Sequence, residues 1–373
     1  MPARRTDAEP ETRPHRTNRD AALAGRRETP PARHTGRSTG DRNRLDQGDI
    51  AIRRCPVPGF RGGRAGGRGT GPVHDGGRGG CALTVAIHPT AIVHPGAQLE
   101  AGVAVGPYCV VGDRVRIGRG TVLHNHVTVL SGTTLGRDNV VYPYAVLGAE
   151  PQDLKYAGGD TELIIGDRNR IREHATIHRG TEIGGRRTVI GNDCLIMVGV
   201  HVAHDCIVED EAVIANGTML GGHCLVEFGA GIGGGAGIHH FTTIGALSFV
   251  GGMARVNMDV PPFVVSEGSP AEPRKINTTA LMRRKWPPEQ IERLRSAFRL
   301  LFRGEDGAIM REAIAKLRGE AGEHARSPFG RCLGAGGVDP VLRLCDFVER
   351  MDMGLHGRYR ESLRGSPEDR RGR

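Results

Sequence analysis

The chain has 373 residues, a formal net charge of +9, 57 glycines and only 4% aromatic residues, among them a single Trp. With so few aromatic rings, a folded core must consist mainly of Val, Ile, Leu and small residues. No run approaches the roughly 18 apolar residues of a membrane-spanning helix, and no apolar segment follows the basic N-terminus as in a secretory signal. The eight cysteines contain no CxxC pair, which favours a reduced, cytoplasmic protein.

Residues 1–82 form the first segment, which is rich in Arg, Gly and Pro. It buries too little apolar surface to offset the entropy lost on ordering, so a disordered basic extension is predicted. Three interpretations stay open: translation from a start upstream of one near Leu83, a natural tail, or an arm that binds nucleic acid or another anionic surface. No stacking aromatic residues are interleaved with the basic ones, so we expect no nucleic-acid partner.

Residues 83–262 carry an aliphatic residue at every sixth position, in three runs. The runs are Ile87, Val93, Leu99, Val105, Val111, Ile117, Leu123, Val129, Leu135, Val141 and Leu147; then Ile165, Ile171, Ile177 and Ile183; then Ile190, Ile196, Val202, Val208, Ile214, Leu220, Val226, Ile232, Ile238, Ile244, Val250 and Val256. A period of six fits neither a helix nor a simple alternating strand. Short strands joined by tight turns do fit, with three hexapeptides forming one triangular coil and coils stacking about 4.8 Å apart. The pattern therefore predicts a mainly β protein built as a parallel β-helix.

The second constrained position lies four residues after each aliphatic residue and is mostly small. It includes Cys109, Cys194, Cys206 and Cys224, which we interpret as small buried hydrophobic residues and not as ligands. The period is interrupted twice: a loop over 151–163 leaves the coil without changing its phase, and a one-residue slip between Ile183 and Ile190 predicts a second loop.

A small helical domain is predicted over 263–355. Residues 287–304 are amphipathic and begin with prolines, as a helix N-terminus does. The residues on the apolar face are Ile291, Leu294, Phe298, Leu301 and Phe302. Two further helices are predicted near 307–318 and 339–352, followed by a disordered tail over 356–373.

Stacking places residues 18 positions apart above one another. His204, Gly222 and His240 then form one vertical strip, with His223 beside Gly222. The repeat at Ile177 is expected one coil below that at Ile196, which brings His178 and His201 to nearly the same level. Histidine is the natural general base near neutral pH, the adjacent Asp205 can orient it, and a glycine strip exposes backbone N–H groups to an oxyanion. The alternative is that these residues are exposed polar groups on a sheet face.

Five segments resemble the motifs of the UDP-N-acetylglucosamine O-acyltransferase family. They are QDLKYAG (152–158), TIHRGT (176–181), VAHDC (202–206), GGHCLV (221–226) and NTTALMRR (277–284), and the resemblance extends from Ile87 to Gly304. It implies a left-handed β-helix and a homotrimer. The implied reaction moves an (R)-3-hydroxyacyl chain from acyl carrier protein to the 3-hydroxyl of UDP-N-acetylglucosamine, the first step of lipid A biosynthesis, without a metal or other cofactor.

The resemblance also implies roles for particular residues. His204 matches the general base, Asp205 its supporting acid and Gly222 the backbone donor to the oxyanion. Residues of the sugar-nucleotide and acyl groove are matched by Asp153, Lys155, His178, His201, His223 and His240, and Gly252 matches the position at the end of the acyl groove. Those near the uridine phosphates and the carrier protein are matched by Asn277, Arg283 and Arg284. The chain departs from the family at His240, where Gln is usual, and at Thr279, where an acidic residue is usual.

The trimer is also expected because the prism faces are flat and carry the apolar residues Met197, Met219 and Ile238 near the histidines, so a neighbouring chain should cover them. Three rival interpretations remain. A γ-type carbonic anhydrase is also a β-helix trimer and would bind zinc through histidines. The later N-acyltransferase of the same pathway would need a folded N-terminal uridine-binding domain. A non-enzymatic scaffold would leave the histidines without a role. Acyl-chain length and a preference for a 3-amino sugar remain open.

Overall fold

The computed structural model describes residues 84–303, 307–321 and 339–363, without the side chains of 307–309 and 321. These residues lie in the second of two compact units, Gly77–Arg373. The predictions for residues 1–82 and for the tail beyond 363 concern residues outside the described ranges.

Short strands follow the six-residue period of the sequence, and each ends on or near one of its aliphatic residues. Before the first interruption lie β1 (Ala86–Ile87), β2 (Ile92–Val93), β3 (Gln98–Leu99), β4 (Ala104–Val105), β5 (Val110–Val111), β6 (Arg116–Ile117), β7 (Val122–Leu123), β8 (Thr128–Val129), β9 (Thr133–Leu135), β10 (Val140–Val141) and β11 (Val146–Ala149). Between the interruptions lie β12 (Glu162–Ile165), β13 (Arg170–Ile171) and β14 (Thr176–His178). After them come β15 (Arg187–Ile190), β16 (Leu195–Ile196), β17 (His201–Val202), β18 (Ile207–Val208), β19 (Val213–Ile214), β20 (Met219–Leu220), β21 (Leu225–Val226), β22 (Gly231–Ile232), β23 (Gly237–Ile238), β24 (Thr243–Ile244), β25 (Phe249–Val250) and β26 (Arg255–Val256).

Every third strand pairs in parallel, which gives three sheets and the predicted left-handed parallel β-helix. Sheet A contains β1, β4, β7 and every third strand to β25; sheet B runs in the same way from β2 to β26; sheet C runs from β3 to β24. The chain passes from A to B to C in each coil, so the prism has an A–B, a B–C and a C–A corner.

The corners are tight because one residue in most of them has a positive φ. At the A–B corner the stacked residues Tyr108, His126 and Tyr144 have φ of 58°, 57° and 63°. This left-handed conformation reverses the chain within a few residues, and stacked aromatic rings accompany it here, with centroids 5.0 and 4.9 Å apart.

The aliphatic residues of the period fill the prism. Ile117, Leu123, Leu135 and Ile171 are each at most 1% exposed, so each contributes roughly 1.5–3 kcal/mol relative to an exposed side chain. The four cysteines of the second position are buried and free, as predicted.

One residue of the period was assigned wrongly. Ile183 belongs to no strand and is 61% exposed, because the chain turns at Thr181, whose carbonyl accepts hydrogen bonds from Gly184 and Arg186. The next strand starts at Arg187, so Ile177 pairs with Val202 and not with the repeat at Ile196. Ile238 points into the core and is only 4% exposed, as its place in the period predicts, so it does not supply apolar surface on the outer face with Met197 and Met219.

The C-terminal part begins with a hairpin that the sequence did not predict. Strand β27 (Val264–Gly268) extends sheet A and pairs antiparallel with β28 (Ala271–Ile276). The helices α1 (Thr278–Arg283), α2 (Pro288–Phe302), α3 (Gly307–Ala321), α4 (Pro340–Met353) and α5 (Tyr359–Ser362) follow. The predicted apolar face of α2 packs into a second core around Phe263 and Trp286.

The predicted tail from residue 356 differs from the structure over its first part. Residues 356–363 are described, they include α5, and Arg358 is 6% exposed because its guanidinium bonds to the carbonyl of Asn257 and to Glu361. None of the helices in the described ranges combines the length and apolar character that a membrane crossing requires.

Candidate active site at the B–C corner

The B–C corner of the prism brings most of the predicted site residues together. We call it the histidine corner and define it by the residues at or beside this corner: His178, Thr181, His201, His204, Asp205, Gly222, His223 and His240. Most of them lie in the turns that follow β14, β17, β20 and β23. The exceptions are His178, the last residue of β14, and His201, the first residue of β17. The predicted stacking is observed, since His223 N–H donates to the carbonyl of His204 (3.0 Å) and Phe241 N–H to that of Gly222 (3.0 Å).

His204 and Asp205 form a hydrogen-bonded pair. Nδ1 of His204 lies 2.8 Å from Oδ2 of Asp205, and a carboxylate only accepts, so Nδ1 carries the proton and Nε2 is left as an acceptor. The Asp205 side chain is 2% exposed and the His204 side chain 14% exposed. This is the arrangement of an oriented general base.

Asp205 remains ionised because the corner supplies it with donors. Burial raises its pKa, but hydrogen bonds from His204 and Thr181 outweigh burial and lower the pKa overall. The Thr181 hydroxyl donates to Oδ2 at 2.6 Å, and the N–H groups of Thr181 and Gly185 also donate to the carboxylate. The hydroxyl of Thr188 accepts from Asp205 N–H at 2.8 Å.

Thr181 and Thr188 were not among the predicted site residues. Thr181 ends the TIHRGT segment, but the six-residue period assigned Ile183 to a strand and so concealed the turn that brings Thr181 under Asp205. No spacing signal in the sequence pointed to Thr188.

Gly222 lies against the ring of His204. A β-carbon at residue 222 would lie 2.6 Å from Cε1 and 2.7 Å from Nε2 of that histidine, so only glycine fits without displacing the ring. His223, with φ of 64°, packs edge-on against His204 at 5.0 Å and stacks on Phe241 at 4.2 Å.

His178 and His201 lie side by side, as predicted, with ring centroids 4.9 Å apart. Burial and the neighbouring His201 lower the pKa of His178 to about 4. Burial and His204 lower the pKa of His201, whose Nδ1 lies 2.8 Å from the Thr176 hydroxyl. Both rings are therefore neutral near pH 7 and can offer an acceptor to a bound hydroxyl.

A groove runs along sheet B next to the corner. Its cavity of about 400 Å³ is bordered by the outward residues His201, Met219, Gly237 and Arg255, which are in register on neighbouring strands. A β-carbon at Gly237 would meet nothing within 4 Å, so the groove is open there. Its Met and glycine lining suits an alkyl chain.

Asp153 and Lys155 lie on the loop between β11 and β12, which leaves the prism at the same corner. Lys155 N–H donates to Oδ1 of Asp153 at 3.0 Å. Arg179, which follows His178, donates to the hydroxyl of Tyr156 at 2.9 Å and so fastens this loop beside the histidines.

Asn277, Arg283 and Arg284 lie away from the histidine corner. The Asn277 side chain caps α1 and donates to the carbonyl of Leu247 at 2.9 Å. Arg284 pairs with Glu211 at 2.7 Å and stacks over Phe228, both of which belong to the C–A corner. Arg283 is exposed.

Gly252 lies on the third corner, A–B, in the turn between β25 and β26. A β-carbon there would meet the Gly234 carbonyl oxygen at 3.4 Å, an ordinary contact. The three sets of predicted residues thus occupy three different corners of one chain.

One group in the described residues has the composition of a metal site. Ligand atoms of His204, Asp205 and His223 all lie within 4.8 Å of one another. The Asp205 carboxylate already accepts from Thr181, Gly185 and His204, which favours a hydrogen-bonded pair over metal coordination at this position.

The coil architecture and the oriented His–Asp pair define a hexapeptide-repeat transferase. The family model of bacterial transferase hexapeptides, six repeats, matches residues 187–222. The model of UDP-N-acetylglucosamine O-acyltransferase, domain 2, matches residues 259–355.

Solved structures agree with both models. The UDP-N-acetylglucosamine O-acyltransferase from Moraxella catarrhalis is 40% identical over 69% of this chain and 96% of its own, with a TM-score of 0.63. The Francisella novicida and Arabidopsis UDP-N-acetylglucosamine acyltransferases are each 33% identical over 70% of this chain, covering 91% and 96% of their own, with TM-scores of 0.63 and 0.60. The chain belongs to the UDP-N-acetylglucosamine O-acyltransferase family and is an acyltransferase.

Proposed function

We propose that the chain transfers an (R)-3-hydroxyacyl group from acyl carrier protein to the 3-hydroxyl of UDP-N-acetylglucosamine, the first step of lipid A biosynthesis, with His204 as general base. The observation that carries this proposal is the Asp205-oriented His204 in contact with the backbone of Gly222. The base then acts on the sugar hydroxyl, while the backbone donor acts on the thioester carbonyl that this hydroxyl attacks.

The proton path follows from the tautomer of His204. Asp205 holds the proton on Nδ1, so Nε2 accepts the proton of the sugar hydroxyl as the oxygen attacks the thioester carbon. The negative Asp205 stabilises the imidazolium that forms. When the tetrahedral intermediate collapses, the C–S bond breaks and Nε2 returns the proton to the leaving thiolate, which leaves an ester and a free thiol.

The oxyanion of that intermediate is stabilised by the backbone N–H of Gly222. Oxyanion donors act best in water-poor surroundings and when they are fixed before the reaction. The turn at Gly222 meets this requirement, because the adjacent Gly221 N–H donates to the Ile238 carbonyl and His223 N–H donates to that of His204.

Separation of the predicted residues on three corners supports a homotrimer with sites between chains. The histidine corner, Arg283 with Arg284, and Gly252 come together most simply when different corners from neighbouring chains meet. The exposed Met219, 56% exposed beside His201, supplies apolar surface for such a contact.

The groove along sheet B supports binding of the acyl chain. Gly252 lies three coils above Val198, the A–B corner residue of the His201 coil, or roughly 14 Å at the spacing of β-strands. We propose that an open Gly252 admits a long chain and that UDP-N-acetylglucosamine binds near the neutral His178 and His201.

Product analysis by mass spectrometry tests the proposal. Purified protein is incubated with UDP-N-acetylglucosamine and a panel of 3-hydroxyacyl carrier-protein thioesters, with the matching coenzyme A thioesters and the 3-amino sugar nucleotide as comparisons. We expect an O-acylated UDP-N-acetylglucosamine from the carrier-protein donors. Formation of product only from coenzyme A, or only an amide, would contradict it.

Mixed assemblies test the trimer. Chains carrying His204→Ala are co-expressed with chains carrying Arg283→Ala and Arg284→Ala, and the solution mass is measured in parallel. A trimer mass and activity above that of either variant alone are expected. A fully active monomer would rule out sites shared between chains.

A further inference from the structure

The segment after residue 355 packs against the upper end of the histidine corner. The match to the family's domain model stops at residue 355, so this C-terminal segment (residues 356–363) lies beyond it. Asp259 forms two hydrogen bonds to this segment. Its N–H donates to the Gly357 carbonyl at 2.8 Å, and its Oδ2 accepts from Tyr359 N–H at 2.9 Å. The guanidinium of Arg358 donates to the carbonyl of Asn257 at 2.6 Å.

Arg360 reaches from this segment into the turn that carries Gly222. Its Nε donates to the carbonyl oxygen of His223 at 3.2 Å. His223 has the left-handed backbone of a corner residue, with φ of 64°, and its carbonyl oxygen follows directly after the Gly222 turn.

Glu361 lies at the next residue and faces the same corner. Its Oε2 accepts from Nε of Arg358 at 2.6 Å, and its Oε1 lies 3.9 Å from Nε2 of His240. The segment also borders a second cavity of about 570 Å³ through His356 and Arg358. That cavity shares His239, Arg255 and Asn257 with the groove along sheet B.

We propose that Arg360 is a positioning residue for acyl transfer, which holds the Gly222–His223 turn from a segment outside the family's domain model. The inference rests on the proposed function, because it assumes that Gly222 N–H meets the oxyanion. A displacement of about 1 Å in such a group is enough to lower a rate by about 10²-fold. Loss of one hydrogen bond at the turn is therefore expected to lower kcat. Substrate binding elsewhere in the groove does not depend on it.

The test compares Arg360→Ala and Arg360→Lys with wild type, by steady-state kinetics and by hydrogen exchange of the peptide around residues 220–226. We expect kcat of Arg360→Ala to fall about tenfold, with KM for UDP-N-acetylglucosamine changed less than about twofold, because the turn acts in the transition state. Lys keeps a donor, so kcat should return to within about threefold of wild type. The His223 N–H should exchange faster in the Ala variant than in the Lys variant.

Arg350→Ala is the matched control, because Arg350 lies on the exposed side of α4 and bonds within its own helix. Unchanged kcat and exchange in Arg360→Ala would overturn the inference. So would equal losses in the Ala and Lys variants with a lowered thermal midpoint, which indicate a merely structural contact. If wild type forms no acylated sugar nucleotide, the proposed function fails, and the exchange measurement still decides whether Arg360 holds the turn.

Discussion

The backbone of Gly222 and the imidazole of His204 are in such close contact that a β-carbon at residue 222 would lie 2.7 Å from Nε2. The two residues are in consecutive coils, and the strand spacing of the β-helix sets their separation. The proposed base and the proposed backbone donor are therefore positioned by the coil itself.

Gly222→Ala should abolish most activity while the protein stays folded. The added methyl group must push the ring of His204 aside, which we expect to lower kcat by about 10²-fold or more, with a small change in thermal midpoint. Gly319→Ala is the control, since a β-carbon there meets nothing within 4 Å. Kinetics close to wild type for Gly222→Ala would contradict the close contact.

His204→Ala should reduce kcat by about 10²–10⁴-fold, because the general base acts in the transition state. The KM for the sugar nucleotide should stay within about threefold. A purified, folded variant that keeps more than about a tenth of wild-type kcat would exclude His204 as the base and direct attention to His178 or His201.

Asp205→Asn should lower kcat less than His204→Ala but should also lower the thermal midpoint. Asn offers one acceptor oxygen where the carboxylate offers two, and Thr181, Gly185 and His204 all donate to that carboxylate. Differential scanning fluorimetry alongside kinetics separates the two effects. A variant as stable as wild type would argue that these hydrogen bonds contribute little.

The pKa of His178 predicts a loss of stability in mild acid. Folding lowers this pKa from 6.5 to about 4, so as the pH falls the unfolded chain binds the proton first, which lowers its free energy relative to that of the folded chain. The penalty starts near pH 6.5 and grows until about pH 4. Between pH 7 and pH 5 it amounts to about 2 kcal/mol at most.

Urea unfolding at pH 7 and pH 5 measures this penalty. His178→Gln should show a smaller fall in unfolding free energy between the two pH values than wild type, and the exposed His94→Gln should not. Equal falls in all three proteins would mean that His178 is not held neutral by the fold.

Gly252→Met should shift the donor preference towards shorter acyl chains. Its side chain would extend from the A–B corner into the proposed end of the groove, and each methylene of the donor that loses its contact costs roughly 1 kcal/mol. Competition between carrier-protein donors of different length measures directly the ratio of products with short and long acyl chains. Gly252→Ala is the small-residue control. An unchanged preference among the donors would show that Gly252 does not border the acyl groove.

The architecture could be predicted from the sequence because an aliphatic residue at every sixth position has few structural solutions. The same regularity predicted that His204, Gly222 and His240 would stack, since strand spacing alone decides which residues 18 apart meet. The neighbour of Ile177 was predicted wrongly. Ile183 continues the six-residue period in the sequence, but a turn at Thr181 removes Ile183 from the coil, so Ile177 pairs with Val202.

Contacts that cross between distant parts of the chain could not be predicted. The carbonyl of His223 accepts a hydrogen bond from Arg360, and no periodicity relates these two residues. The pairing of Arg284 with Glu211 likewise depends on how the helices return to the prism, which the hairpin of β27 and β28 determines.

The two interruptions of the six-residue period both lie between sheet B and sheet C, in the loops after β11 and after β14. A coil whose strands must stay in register tolerates extra residues only where the chain turns, and three corners were available. Every extra residue between β1 and β26 was nevertheless inserted beside the histidines, where Arg179 and Glu182 tie the two loops together. The two breaks in the six-residue period therefore coincide with the corner that carries the histidines, and the residues added there extend that corner outward from the prism.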